Sequence, residues 1–147
     1  MNREESAVRI FSEGFNCAQA VLGAFADRTG LESDQAMRVA SCFGGGMRRG
    51  EVCGAVTGAL MVLGMTGGYT SGTDTDAKKR SNERAGDFLD RFSASQGSII
   101  CKELLGDDLS NSAGLERLVR SGAFVTECPK FVAEAVRILD EMIAKEQ

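Results

Sequence analysis

Apolar residues recur at intervals of about three to four along most of this chain, which is the spacing of one face of a helix. The clearest stripe lies near the C-terminus and comprises Phe131, Val132, Ala135, Val136, Leu139, Met142 and Ile143. A second stripe, between Thr75 and Gln96, includes Ala85, Phe88, Leu89 and Phe92. Few stretches alternate apolar and polar residues as half-buried strands do. The pattern therefore predicts a protein built from helices.

The same spacing predicts further helices, separated by glycine-rich connections. We place them over Glu4–Ser12, Asn16–Arg28, Asp34–Cys42, Glu51–Thr66, Ile99–Gly106 and Ala113–Ser121. The stretches Phe43–Gly50 and Gly67–Gly72 are predicted to be loops because clustered glycines break helices. Phe124–Thr126 has the composition of a short strand, although no partner strand is evident. With 147 residues, the chain is expected to form one all-α domain over 1–147, a compact multi-helix bundle.

The amino-acid composition excludes several classes of site and partner. The sequence contains no histidine, which excludes a Ser-His-Asp triad, a Cys-His pair and any haem or zinc site that uses imidazole. Its net charge is −4, whereas proteins that bind a phosphate backbone need a basic surface. We therefore expect no nucleic-acid partner.

One uncharged stretch raises the question of a membrane span. No residue from 52 to 73 is charged, but only residues 52–65 are strongly apolar, and three of those are glycines. A span needs about 20 mostly apolar residues, so we interpret this stretch as a buried helix and expect no membrane span. The N-terminal sequence MNREESAVRIF lacks the apolar core of a secretion signal. We therefore expect a cytoplasmic protein, in which thiols are kept reduced.

Four of the five cysteines lie where the pattern predicts that a helix begins. Cys17 is predicted at the first helical position, Cys53 in the first turn, Cys101 at the third position and Cys128 at the N-cap. Cys42 differs, because it lies at the end of its predicted helix.

A helix N-terminus favours the thiolate over the thiol, because its free N–H groups carry a partial positive charge. Arg48 and Arg49, just before the second cysteine, would act in the same direction. Thiolates attack disulfides and ligate metals, so the four cysteines could form one interior site for either chemistry. Each also lies on an apolar stripe, and buried cysteine often only fills space. No Cys-x-x-Cys pair is present, so spacing alone does not separate these interpretations.

A glycine-rich segment surrounds the second cysteine. The run at 44–46 can adopt positive φ and expose N–H groups, which suits an anion or a sulfur-bound group. Gly45, Gly46 and Gly54 are therefore candidate cofactor-binding residues, and a flexible connection between two helices is the alternative. Gly54 and Gly58 lie one helical turn apart, and this small face permits tight helix packing or a homodimer.

These segments together resemble the C-GCAxxG-C-C family of redox-active proteins, which is defined by four cysteines with a CGAxxG signature around the second. The resemblance is carried by GFNCAQAV at 14–21, CGAVTG at 53–58, CKELLG at 101–106 and Cys128 at the start of the last helix. It extends over nearly the whole chain. The resemblance implies that the four cysteines of the motifs form a site and that Cys42 lies outside it.

The sequence leads to one main hypothesis with two versions. The clustered cysteines, Cys17, Cys53, Cys101 and Cys128, would be redox-active by reversible thiol–disulfide exchange, or would ligate zinc or an iron–sulfur cluster. The cofactor, the cysteine pairing and the redox partner or small-molecule substrate are left open. The alternative from another class is a non-catalytic helical binding or structural protein whose cysteines only pack or bridge.

Overall fold

Side-chain caps define where several helices begin in the computed structural model. The side chain of Asn2 accepts the Glu5 N–H at 2.8 Å, and the Glu5 carboxylate accepts the Asn2 N–H at 3.1 Å. Asn16, Asp74 and Asn111 also cap the helices that follow them. Such caps stabilise a helix because they satisfy N–H groups that have no partner within its first turn.

The structure describes residues 1–146, which form α-helices and contain no β-strand. The helices are α1 (Arg3–Ser12), α2 (Cys17–Ala24), α3 (Ala26–Thr29), α4 (Ser33–Ala40), α5 (Gly54–Gly67), α6 (Thr75–Gln96), α7 (Cys101–Leu105), α8 (Ser112–Ser121), α9 (Ala123–Thr126) and α10 (Cys128–Lys145). The prediction of an all-α, compact multi-helix bundle is confirmed.

The core lies where α2, α5, α6 and α10 meet. Its largest fully buried side chains include Phe25, Phe88, Phe92, Leu22, Ile138 and Leu139. The backbones of α2 and α5 come especially close, since a Cβ at Gly58 would lie 2.8 Å from the Ala18 carbonyl oxygen. The small face of α5 is therefore used for packing within the chain.

The uncharged stretch 52–73 contains α5 and the connection that follows it. The helix has 14 residues, and the buried ones are Gly54, Ala55, Val56, Gly58, Ala59, Val62 and Leu63. This agrees with the interpretation as a buried helix. Among residues 1–146, no helix has the length and apolar character needed to cross a membrane.

Several helix boundaries differ from the predicted ones, and tertiary contacts explain the differences at α2 and α5. The helix predicted over 16–28 divides at Phe25 into α2 and α3. The helix predicted from Glu51 begins instead at Gly54, because residues 51–53 are extended and lie beside residues 99–101. An isolated antiparallel bridge joins these two segments at their centres, Val52 and Ile100.

The prediction of a short strand at Phe124–Thr126 is wrong. These residues belong to α9, which begins after Gly122 with a positive φ of 76°. A strand at this place would need a neighbour to satisfy its backbone groups, whereas a helical turn satisfies them locally. The Thr126 N–H donates to the Gly122 carbonyl at 3.0 Å, which is such a local bond.

The glycine-rich stretch before α5, predicted to be a loop, takes a defined conformation. Gly46–Gly50 form one tight turn, which is closed where the Glu51 N–H donates to the Gly46 carbonyl at 3.0 Å. Met47 and Arg48 have φ of 58° and 59°, in the left-handed region that residues other than glycine rarely adopt. Each such residue costs about 1–2 kcal/mol, so contacts around the turn must hold it in place.

Candidate thiol site

The start of α2 is anchored by the residue before Cys17. The Asn16 side chain accepts the Gln19 N–H at 2.9 Å, and the Gln19 side chain accepts the Asn16 N–H at 2.9 Å. The Asn16 Nδ2 group also donates to the carbonyls of Ala40 and Ser41, at 3.3 Å and 3.1 Å. Cys17 is therefore held as the first residue of α2, at the predicted position.

A pair of backbone hydrogen bonds joins the two short segments that carry Cys53 and Cys101. The Cys53 N–H donates to the Ile99 carbonyl at 2.8 Å, and the Cys101 N–H donates to the Glu51 carbonyl at 2.6 Å. Because both segments stay extended up to the cysteine, the helices begin later than the sequence predicts. Cys53 is the N-cap of α5 and Cys101 is the first residue of α7.

Cys128 is the first residue of α10, whereas the sequence placed it at the N-cap. Glu127 takes the N-cap position instead, with φ and ψ in the right-handed helical region. The chain is thus already helical before Pro129, which occupies the second position of α10. Proline fits in the first turn because no hydrogen bond of its N–H is needed there.

Glycines allow the backbone to come close to two of these cysteines. A Cβ at Gly54 would lie 3.1 Å from the Cys17 Cβ, and a Cβ at Gly46 would lie 2.8 Å from the Cys101 Cβ. Gly45, Gly46 and Gly54 all line the cavity that adjoins these cysteines. Close packing thus explains these glycines, and their binding of a cofactor stays a prediction.

The structure places the four predicted thiols around one cavity. Cys17, Cys53, Cys101 and Cys128 are buried free thiols, whereas Cys42 is exposed. Cys17 is near enough to Cys53 and Cys128 that both thiols act on its pKa. Cys101 is near enough that charge on Cys53 or Cys128 acts on it.

The pKa values of Cys17 and Cys53 move in opposite directions. The pKa of Cys17 rises well above its ordinary range, chiefly because its proton faces the sulfur of Cys128 and then that of Cys53. The pKa of Cys53 falls, mainly through the Cys17 thiol and then through the backbone amides of Ala55 and Val56, although burial opposes this. Cys53 is therefore the readier thiolate, and Cys17 keeps its proton.

Cys101 is a weak acid in this setting. Burial is the largest cause that raises its pKa, from 9.0 to about 12. Negative charge on Cys53 and Cys128 acts in the same direction, and Asp108 adds to it. Arg48 opposes these effects without outweighing them. A position at a helix start is therefore not sufficient to make a buried thiol acidic.

A cavity of about 230 Å³ adjoins all four thiols. The rest of its wall is mostly apolar and comes largely from α7, α8, α9 and the connection between α7 and α8. These apolar residues are Leu104, Leu105, Leu109, Leu115 and Phe124, with Phe11 and Phe131 beside them. Arg48 also lines the cavity and is itself exposed, so it lies where the cavity opens to solvent.

Sequence reasoning found the thiols but missed most of this apolar wall. Leu104 and Leu105 belong to the CKELLG segment that carries the third cysteine. Leu109 lies in a connection, Leu115 in a short helix and Phe124 in the segment considered as a strand. The amphipathic pattern of α8 was the one signal that could have pointed to Leu115.

The arrangement of donors bears on the metal version of the hypothesis. Among the described residues, no group of three or more His, Cys, Asp or Glu side chains is arranged to hold a metal ion. The thiols meet instead as neighbours around Cys17. The structure thus offers no preformed set of ligands for zinc or an iron–sulfur cluster.

The fold and the site together define a helical protein with buried, adjacent thiols beside an apolar cavity. Residues 15–142 match the model of a family described as "Putative redox-active protein (C_GCAxxG_C_C)". Because this match covers more than half of the chain, the chain belongs to that family, as the sequence motifs indicated. No curated protein and no solved structure matches the chain.

Proposed function

We propose that the protein transfers electrons by reversible thiol–disulfide exchange, with Cys53 as the attacking sulfur and Cys17 as its partner. The observation that carries the proposal is this pair of adjacent buried thiols beside a cavity, with opposite shifts in pKa. Membership of the family supports redox activity in general. The opposite pKa shifts of Cys17 and Cys53 support thiol–disulfide exchange in particular.

The first step is attack by the Cys53 thiolate on one sulfur of a substrate disulfide. The substrate S–S bond breaks as a bond forms between Cys53 and the attacked sulfur. The other substrate sulfur leaves as a thiolate. The Cys53 thiolate is available for this step because the Cys17 thiol and the amides at the start of α5 stabilise its charge.

The second step forms the protein disulfide. Cys17 gives its proton to the departing thiolate, and its sulfur then attacks the Cys53 sulfur of the mixed disulfide. The second half of the substrate leaves as a thiolate, which takes a proton from water to replace the one that Cys53 released when it ionised. Two protein thiols have then been oxidised to one disulfide, and the substrate disulfide has been reduced to two thiols. The reverse sequence oxidises a dithiol substrate.

The other two buried cysteines take different places in this scheme. Cys128 also acts on the pKa of Cys17, so it is the alternative disulfide partner of Cys17. Cys101, with a pKa of about 12, stays protonated at neutral pH and is given no attacking role. An external dithiol would return the Cys17–Cys53 disulfide to its reduced form.

The proposal is tested by trapping the intermediates. The variant Cys42→Ser removes the exposed thiol and serves as the parent, because Cys42 lies outside the site. The reduced parent is treated without oxygen with one equivalent of bis(2-hydroxyethyl) disulfide and digested for mass spectrometry. We expect a Cys17–Cys53 disulfide in the parent and a mixed disulfide on Cys53 after Cys17→Ser. After Cys53→Ser we expect no mixed disulfide at Cys17 or Cys128.

Other results would overturn the proposal. If Cys53→Ser, with the circular dichroism of the parent, still forms a protein disulfide at the parent rate, Cys53 is not the attacking sulfur. Metal and acid-labile sulfide are measured on the same anaerobic preparation. One zinc or one cluster per chain that is lost in Cys53→Ser would favour thiolate ligation. An unreactive parent without metal would favour cysteines that only pack.

A further inference from the structure

The cavity beside the thiols has a composition that the exchange step itself does not require. A small polar disulfide would need only access to Cys53. The structure provides instead a wall of leucines and a phenylalanine, from Leu104 in α7 to Leu115 in α8 and Phe124 in α9. Such a wall gains free energy by removing apolar ligand surface from water.

The cavity also contains one positive charge without a counter-ion. Arg48 is the single charged residue among the described residues that line it. Within residues 1–146 the Arg48 guanidinium forms no ion pair and no side-chain hydrogen bond. Arg49, the next residue, differs, because its side chain donates to the Arg48 carbonyl at 3.1 Å and does not line the cavity.

The backbone of the glycine turn places this charge. A Cβ at Gly45 would lie 3.0 Å from Arg48 Nη1 and 3.1 Å from Leu109 Cδ1. The guanidinium therefore folds back over Gly45 toward the apolar wall. Arg48 reaches this place with a left-handed φ of 59°, which a side chain adopts only at a cost.

We propose that the substrate is a small disulfide with an apolar body, which fills the cavity, and an anionic group, which pairs with Arg48. This inference rests on the proposed function and specifies its substrate class. The chemical step is the same exchange: Cys53 bonds to one substrate sulfur, the other leaves as a thiolate, and Cys17 supplies the proton. Arg48 is a binding residue in this step, since the guanidinium neither gains nor loses a proton.

The charge is tested with two aromatic disulfides that differ in charge, each compared across the same set of variants. One is 5,5′-dithiobis(2-nitrobenzoate), which is anionic, and the other is 4,4′-dithiodipyridine, which is neutral at pH 7.5. Second-order rate constants are measured by absorbance on the Cys42→Ser parent, on Arg48→Asn and on the control Arg49→Asn. Asparagine is chosen because it tolerates the left-handed region.

We expect Arg48→Asn to slow the anionic probe by about fivefold, the effect of one solvent-accessible ion pair, and to change the neutral probe by less than about twofold. Arg49→Asn should change the ratio of the two rates by less than about twofold. Equal slowing of both probes by Arg48→Asn would mean that the turn was disturbed, and no slowing would mean that the charge is not used. Either result overturns the anionic part of the proposal.

The apolar part is tested by narrowing the cavity. Leu115→Phe adds volume at the wall, whereas Val119→Phe, one turn later on α8, adds it at a side chain that is 63% exposed. We expect Leu115→Phe to slow both aromatic probes and to leave bis(2-hydroxyethyl) disulfide unaffected. Equal rates for these two variants would overturn the apolar part. Failure of the exchange itself is distinguishable, because the parent would then not react with bis(2-hydroxyethyl) disulfide.

Discussion

At the residue scale, the buried cysteines differ because each meets different neighbours. All four lie at or next to a helix start, so the helix N-terminus does not distinguish them. Cys53 has the amides of Ala55 and Val56 and the thiol of Cys17 around its sulfur, and these lower its pKa. Cys101 lacks such donors, and burial raises its pKa. The difference in acidity between Cys53 and Cys101 therefore comes from a few atoms around each sulfur.

The pKa of Cys101 predicts how stability changes at alkaline pH. An unfolded cysteine has a pKa of 9.0, whereas folded Cys101 has one of about 12. Between these values the unfolded chain loses a proton that the folded protein keeps, so the free energy of unfolding falls as pH rises from 9 toward 12. Below pH 9 this contribution is fully present. Urea unfolding of the reduced protein at pH 8 and pH 10 should therefore show a smaller fall in the free energy of unfolding for Cys101→Ala than for the wild type.

The exposed cysteine provides the control for that comparison. Cys42→Ala removes an exposed thiol and leaves the buried ones in place. The free energy of unfolding of this variant should therefore fall between pH 8 and pH 10 by as much as that of the wild type. An identical loss in Cys101→Ala would contradict the assignment of a raised pKa to Cys101.

The sequence predicted the cysteine positions well where a cap decided them. Asn16 is a local signal, and Cys17 begins α2 as predicted. The sequence did not predict which thiols act on one another, since the closeness of Cys17 to Cys53 and Cys128 depends on how three helices pack. The acidity of Cys53 relative to Cys101 was missed for the same reason.

At the element scale, the site depends on the close approach of α2 and α5. Gly54 faces Cys17 and Gly58 faces Ala18, so the two helices lie side by side near their N-termini. Their contact places the first thiol beside the second. The glycines of the CGAxxG signature are thus part of the geometry of the thiol pair.

This contact predicts opposite effects of two alanine substitutions in α5. In Gly58→Ala the new Cβ would lie 2.8 Å from a backbone carbonyl oxygen, so the helices must separate, at a cost of about 1–3 kcal/mol. In Gly64→Ala the new Cβ has nothing within 4 Å, and alanine is the better helix former by about 0.5–1 kcal/mol. Urea unfolding should show the first variant destabilised and the second stabilised. Loss of stability in both would show that space at position 58 is not the cause.

Helix existence was easier to predict than helix starts. The paired segments 51–53 and 99–101 each have only three residues, and their bonds join parts of the chain nearly fifty positions apart. Local helix propensity does not indicate that two such distant segments pair. The helices after Cys53 and Cys101 were therefore predicted to begin two or three residues too early.

At the scale of the whole molecule, one arginine joins the beginning and the end of the chain. The Arg3 guanidinium lies 4.6 Å from the Phe25 ring centroid and donates to the Ala24 carbonyl at 3.0 Å. It also forms ion pairs with Asp27 and with Asp140 of α10. The side chain is 25% exposed, so these interactions are partly shielded from solvent.

Removal of this side chain should therefore cost more than removal of an ordinary surface arginine. We expect Arg3→Ala to lower the free energy of unfolding by about 1–2 kcal/mol, because it loses the ring contact, the carbonyl bond and the ion pairs together. Arg9→Ala removes one exposed i,i+4 pair with Glu13 and should cost less than about 0.5 kcal/mol. Thermal unfolding of both variants compares them directly. Equal melting temperatures would contradict a linking role for Arg3.

The left-handed conformation of Met47 and Arg48 sets the stability of the turn against the presence of a side chain at these positions. Glycine at either position would remove a local conformational cost, so a chain selected for stability alone would be expected to carry it. At position 47 that change would sacrifice only an exposed methionine side chain. At position 48 it would sacrifice the cation beside the cavity. The turn thus keeps an arginine at the position where a more relaxed backbone would remove the positive charge from the cavity.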